Sequence, residues 1–235
     1  MEPSFVTPAV PAKPRSAVAL LGDSLRRPGG RRALSVLSLV LALAGIGLFA
    51  YPLGTDVYSR LRQSRLHDGF SDPQTIQAYR EHRIKVGEGL TRLKIPKIGL
   101  DVLVVEGTTP AALRAGAGHY PSTPLPGEVG NVGIAGHRTT YGRPFNRLDQ
   151  LRPGDVVELD TPIAVYTYKA VAPFAGHGNP WVVLPTDVGV VAPIPGKRML
   201  TLTTCHPKGS ARHRLVMRFT LVGTTLKDTK IEVGK

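Results

Sequence analysis

Apolar and polar positions divide the chain into stretches of different texture. From Ala33 to Tyr51 the sequence ALSVLSLVLALAGIGLFAY runs for 19 residues without a charge. As an α-helix it would be about 28 Å long, close to the thickness of a bilayer's hydrocarbon core. The apolar region of a cleaved signal peptide is usually shorter and ends at an A-x-A-like site. None follows before YPLGTDVY, so the run predicts one retained transmembrane helix over 33–51. Residues 1–32 are rich in Pro, Ala, Gly and Arg without sustained periodicity and predict a disordered tail. Residues 52–89 are polar and charged and predict a spacer with a short helix near Pro73 to His82.

From about Leu90 onward, short β-branched runs alternate with Gly/Pro turns, the texture of an all-β domain over 90–235. The candidate strands are TRLKIPKIG, LDVLVVEG, GNVGIAGH, DVVELDTP, AVYTYKAVAPFAG, RMLTLTTC and HRLVMRFTLVG. PAALRAG, PFNRLDQL and LPTDVGVV read as short helices or loops between them. Seven or so strands predict a closed or nearly closed barrel, which leaves no exposed sheet edge. Strand alternation then assigns faces. Met199, Thr201, Thr203 and Cys205 share one side of their strand, and Leu200, Leu202 and Thr204 the other. Asn131, Gly133, Ala135 and His137 share a face, as do Arg214, Val216 and Arg218.

Charge narrows the partners. The net charge is +13, which favours anionic surfaces such as lipid headgroups or a cell wall. Nucleic acid is not expected: there are no paired Cys/His zinc ligands, and aromatic residues are only 6%, thin for stacking on bases. Lys13, Arg15, Arg26, Arg27, Arg31 and Arg32 precede the apolar run, against Glu2 and Asp23. This bias predicts a cytoplasmic N-terminus and an extracytoplasmic bulk, although Arg60, Arg62 and Arg65 oppose it on the far side. No acidic cluster suggests a calcium site, so neither a metal nor a cofactor is expected.

Cys205 is the single cysteine. No intramolecular disulfide can form, so in an oxidising compartment this thiol is either an intermolecular link or a reactive group. Taken alone it is more often a buried small hydrophobe. A thiol nucleophile needs a group that manages its proton and a donor for the oxyanion on the attacked carbonyl. Histidine and arginine fit those roles, and His137 stands at a strand end as Cys205 does. His206 follows the cysteine directly and faces the other way; His119, His177 and His213 read as ordinary structural residues. Arg212 and Arg214 have the same strand parity, so face geometry does not choose between them.

The segment TLTTC with RLV nine residues after the cysteine resembles the nucleophile motif of sortases, and NVGIAGHRTTYGRPFNRLDQLRPGD resembles their histidine motif. LPTDVGVV is similar to the loop before their cysteine strand, and TTCHP with GHRTT looks most like class E sortases of actinobacteria. The resemblance covers about Leu90 to Gly223. It implies an all-β, sortase-type barrel of about eight strands with short helices, behind one membrane helix. It implies a cysteine transpeptidase that cleaves an LPxTG-like or LAxTG-like C-terminal sorting signal of surface proteins after threonine. The acyl group would pass through a Cys205 thioester to the stem-peptide amine of lipid II or peptidoglycan. His137 would act as acid and then base, and Arg214 would hold substrate and oxyanion. Val188, Val190 and Val191 would line the signal pocket, with Ala135 and Thr204 beside the reacting groups. Two other classes compete: an L,D-transpeptidase, whose S-x-G-C-like context is absent here, and a non-catalytic wall-binding module, which would not need Cys, His and Arg together.

Overall fold

The computed structural model describes residues 28–70, 72–173 and 176–227. The chain divides into two compact units, 1–50 and 51–235. Helix α1 (Pro28–Gly69) contributes to both and continues beyond the predicted apolar limit at Tyr51. Residues 1–27 of the expected tail lie outside the described residues, and 28–32 form the start of α1. The α1 segment in the first unit presents Leu41, Leu48 and Phe49 outward. By length and composition it can cross a membrane, with none of its most apolar window buried.

In the second unit, helix α2 (Pro73–Arg80) starts after Asp72 with Pro73 at its first position, where a missing N–H costs nothing. The strands are β1 (Gly89–Ile95), β2 (Leu100–Glu106), β3 (Ala117–His119), β4 (Gly130–Ala135), β5 (Val156–Asp160), β6 (Ala164–Ala170), β7 (Trp181–Val183), β8 (Arg198–His206) and β9 (His213–Leu226). Helix α3 (Pro110–Ala115), capped by the Thr109 hydroxyl accepting the Ala112 N–H, connects β2 to β3.

Neighbours run β6-β5-β1-β2-β3-β4-β8-β9, and β6 pairs again with β9, closing an eight-stranded barrel. The length of β9 makes this closure possible. Its first part, from His213, pairs with β8, and its last part, to Leu226, pairs with β6. The short β7 lies along the free side of the first part, from Arg214 to Val216. Leu93, Val104, Ile134, Phe145, Tyr168, Leu200, Leu202, Met217 and Phe219 fill the barrel, each fully buried. The leucines of β8 therefore point inward, and Thr201, Thr203 and Cys205 lie on the outer face. Strands β3 and β7 were not anticipated from sequence. AGH and WVV are three residues each, too short to show a period.

Candidate active site

Three adjacent strands build the site from their outer faces. β4 and β8 run parallel, in a register that ends with Ala135 beside Thr203. Beyond that pair the Gly136 N–H still donates to the Thr203 carbonyl at 3.1 Å. The Thr204 hydroxyl donates to the Gly136 carbonyl at 2.7 Å. These bonds carry the two strands in step as far as His137 and Cys205. On the other side of β8, the antiparallel register sets Cys205 directly opposite Arg214 and His206 opposite His213. Directly opposed residues hold their Cβ atoms about 5 Å apart. Cys205, His137 and Arg214 are all half-buried: open enough for a substrate, sheltered enough to limit water.

Two glycines allow this packing. A Cβ at Gly136 would stand 2.7 Å from the Phe145 ring, so only glycine lets Phe145 close under the His137 turn. There the Phe145 N–H donates to the His137 carbonyl at 3.1 Å. A Cβ at Gly133 would meet Tyr120 at 2.8 Å and Val191 at 3.0 Å. The turn carrying Val191 therefore lies over β4. Burial, followed by the charge of Arg114, lowers the His137 pKa below its ordinary value. The imidazole is thus held mainly neutral near neutral pH.

The remaining residues expected from sequence are placed as follows. Ala135 is half-buried on the outer face. Val190 and Val191 are half-buried in a 3-10 turn (Val188–Val191), and Val188 is exposed. Thr204 differs from expectation. It is 3% exposed and its hydroxyl is engaged with Gly136, which leaves it no surface for a substrate. It splints the strands that carry the site. Arg212 lies before β9, exposed, with no cross-strand place opposite Cys205. His119 is buried against the Glu106 carboxylate at 2.8 Å and the Thr123 hydroxyl at 2.9 Å, apart from the thiol's strand face.

Residues 93–222 match the family model described as the sortase domain. The chain belongs to the sortase family. It is 31% identical to sortase SrtE2 of Streptomyces coelicolor, over 88% of this chain and 90% of that protein. It is 32% identical to sortase SrtE1 of the same organism over 56% of this chain, and that match spans only 40% of SrtE1. Among solved structures, sortase E of Streptomyces avermitilis superposes with a TM-score of 0.54 at 35% identity, covering 63% of this chain and 96% of that one. Likeness to class E members agrees with the motifs TTCHP and GHRTT.

Sequence alone gives no role to several groups around the sortase site. Arg138, 3% exposed, donates to the Cys205 carbonyl at 3.3 Å and to His206 Nδ1 at 3.0 Å. It also pairs with Asp149 at 3.2 Å. A guanidinium only donates, so His206 Nδ1 accepts and its other nitrogen carries any proton. Asn131 and Arg218 both donate to the Val190 carbonyl, at 3.1 and 2.6 Å. Thr201 donates to Asn131 at 2.7 Å and receives Arg218 Nε at 3.1 Å, which ties the valine turn to the strands below it. Beside this network a groove of about 500 Å³ is lined by Ile194, Met199, Arg218 and Thr220. A larger cavity among the described residues, about 780 Å³, lies between the end of α1, α2 and the start of β1 and is lined by none of Cys205, His137 and Arg214. Size alone therefore does not locate the chemistry.

Proposed function

We propose that this sortase is a membrane-anchored cysteine transpeptidase acting on a C-terminal sorting signal of surface proteins. The observation that carries the reading is the register: Cys205 opposite Arg214 on β9, with His137 two residues beyond the end of the parallel neighbour β4. In this reading His137 holds the proton taken from Cys205, and the thiolate of this minor thiolate–imidazolium pair attacks the threonine carbonyl of an LPxTG-like or LAxTG-like signal. The oxygen becomes an oxyanion, which the Arg214 guanidinium stabilises as a charge-assisted donor. Collapse breaks the Thr–Gly bond, His137 gives its proton to the leaving amine, and the acyl group remains as a thioester on Cys205. An acceptor amine, such as that of a lipid II or peptidoglycan stem peptide, then attacks. His137 takes the proton from the amine, and the thiolate leaves. One group serves as acid and then base, which suits an imidazole.

The groove along β8 and β9, lined by Ile194, Met199, Arg218 and Thr220, with Arg218 also bonded to the Val190 carbonyl, supports a site for the apolar residues preceding the cleaved bond. The apolar stretch of α1 supports a single span, with residues 1–32 cytoplasmic and 90–235 outside. Mass spectrometry of the full chain, incubated in detergent with LPxTG and LAxTG peptides, tests the reading. The expected result is an adduct on Cys205 whose mass ends at threonine. Cleavage that persists in Cys205→Ala overturns it.

A further inference from the structure

Asp56 lies on α1, outside the residues 93–222 that match the family. It is nevertheless 6% exposed, and both carboxylate oxygens reach one short turn. Oδ1 accepts the Gly142 N–H at 2.9 Å, and Oδ2 accepts from Arg143 Nη2 at 2.7 Å. The backbone of that turn is unusual. Tyr141, Gly142 and Arg143 have φ of 53°, 75° and 49°, three successive left-handed residues of which two carry side chains. Such a conformation persists only where its surroundings hold it in place.

The turn begins four residues after His137, and its first residue returns to it. The Tyr141 and His137 rings lie 5.1 Å apart with an interplanar angle of 38°. Tyr58 of α1 meets the Tyr141 ring edge-on at 6.3 Å. The Arg114 guanidinium, whose charge also depresses His137, stands 5.9 Å from the same ring. Asp56, Ser59 and Gln63 follow at spacings of three and four, one face of a helix. Ser59 donates to the Ala115 carbonyl at 3.4 Å, and Gln63 exchanges hydrogen bonds with the Leu103 backbone at 3.0 and 2.7 Å. The helix face is therefore fixed to the barrel, and Asp56 is its point of contact with the turn beside the site.

We propose that Asp56 is a positioning residue for His137: it clamps the left-handed Tyr141–Arg143 turn and so seats the Tyr141 ring against the imidazole. The helix before the barrel thereby helps to set the environment of the proton carrier. This rests on the assignment of His137 to that role. Removing the clamp lets the turn relax and water reach the ring.

The test uses the full chain in detergent with Asp56→Ala, Asp56→Asn and Asp56→Glu. The His137 imidazole is titrated by NMR, its signal identified by its loss in His137→Gln, and turnover of a sorting peptide is measured alongside. In Asp56→Ala the His137 titration should move upward, towards the ordinary imidazole value. The kcat should fall on the order of tenfold to a hundredfold with KM little changed, the scale of a small misplacement of a reacting group. Asp56→Asn keeps an acceptor for Gly142 but loses the charge opposite Arg143, and should fall between. Asp56→Glu should recover part of the loss. A folded Asp56→Ala or Asp56→Asn protein with unchanged titration and unchanged kcat overturns the proposal; a purely structural tether would lower only the melting temperature. If the wild-type chain processes no sorting peptide, the proposed function fails, and the NMR titration alone still decides the role of Asp56.

Discussion

Cys205 and Arg214 are direct partners across the β8–β9 ladder, while Arg212 stands outside the strand. The Arg214 guanidinium donates to the carbonyls of Ala211 and His213 at 3.0 and 3.1 Å, which holds it at the start of β9.

If Arg214 is the oxyanion donor of the proposed reaction, Arg214→Ala should lower kcat/KM by about a hundredfold or more, the usual cost of losing such a donor. Arg212→Ala should cost at most a few-fold. Arg214→Lys keeps the charge without the planar fork and should recover only part of the activity. Steady-state kinetics on a fluorogenic sorting peptide separates the three. A larger loss in Arg212→Ala than in Arg214→Ala would reverse the assignment.

The lowered pKa of His137 has a direction that can be measured. Its folded value lies below the unfolded imidazole value of about 6.5. Below about pH 6.5 the unfolded chain binds more protons at this group, so its contribution to stability is complete above that pH and is lost as pH falls through the folded pKa. The acid limb of kcat/KM should lie at the same depressed value. Arg114→Ala removes the second of its two causes, so the acid limb should shift upward. A limb at or above the ordinary imidazole value in the wild-type chain contradicts the burial of the ring.

Thr204 tests how the two parallel strands are kept in step. Thr204→Val preserves shape but leaves the buried Gly136 carbonyl without the hydroxyl that it accepts from at 2.7 Å. An unsatisfied buried acceptor costs about 1–3 kcal/mol. Urea denaturation should show a loss on that scale. Thr204→Ser, which retains the hydroxyl, should lose less.

Much of this architecture can be read from the sequence because strand alternation is a local signal. The parities of Leu200 and Leu202 against Thr201, Thr203 and Cys205 follow from period two, and the barrel keeps them. The nucleophile and histidine motifs carry the family resemblance in the same way. Parity could not separate Arg212 from Arg214, because both lie an even number of residues apart; the start of β9 at His213 does so. The resemblance implies Thr204 beside the reacting groups, whereas strand parity puts it on the face opposite Cys205, where its side chain is buried. Asp56 leaves no sequence signal, and Arg138 and Asn131, though they lie within the histidine motif, show no role there because their partners are distant. Asp56 lies 86 residues from Gly142, and Arg138 lies 67 from Cys205. Only closure of the barrel and docking of α1 bring them together.

Asn131 gives the last prediction, since it reaches the valine turn without touching the reacting groups. Its side-chain amide donates to the carbonyls of Val190 and Ala192, each at 3.1 Å, and accepts from Thr201 at 2.7 Å. It is fully buried, so water does not replace these bonds. Asn131→Ala should loosen the turn while leaving Cys205, His137 and Arg214 in register. If Val190 and Val191 form one wall of the signal site, binding is weakened in the ground state and the transition state alike. KM should then rise several-fold to about tenfold with kcat little changed, the pattern of lost uniform binding. Hydrogen–deuterium exchange should accelerate in residues 188–192. Arg218 still holds the Val190 carbonyl at 2.6 Å, so Asn131→Ala combined with Arg218→Met should raise KM further than either change alone. An unchanged KM together with faster exchange would mean that the turn is not part of the signal site.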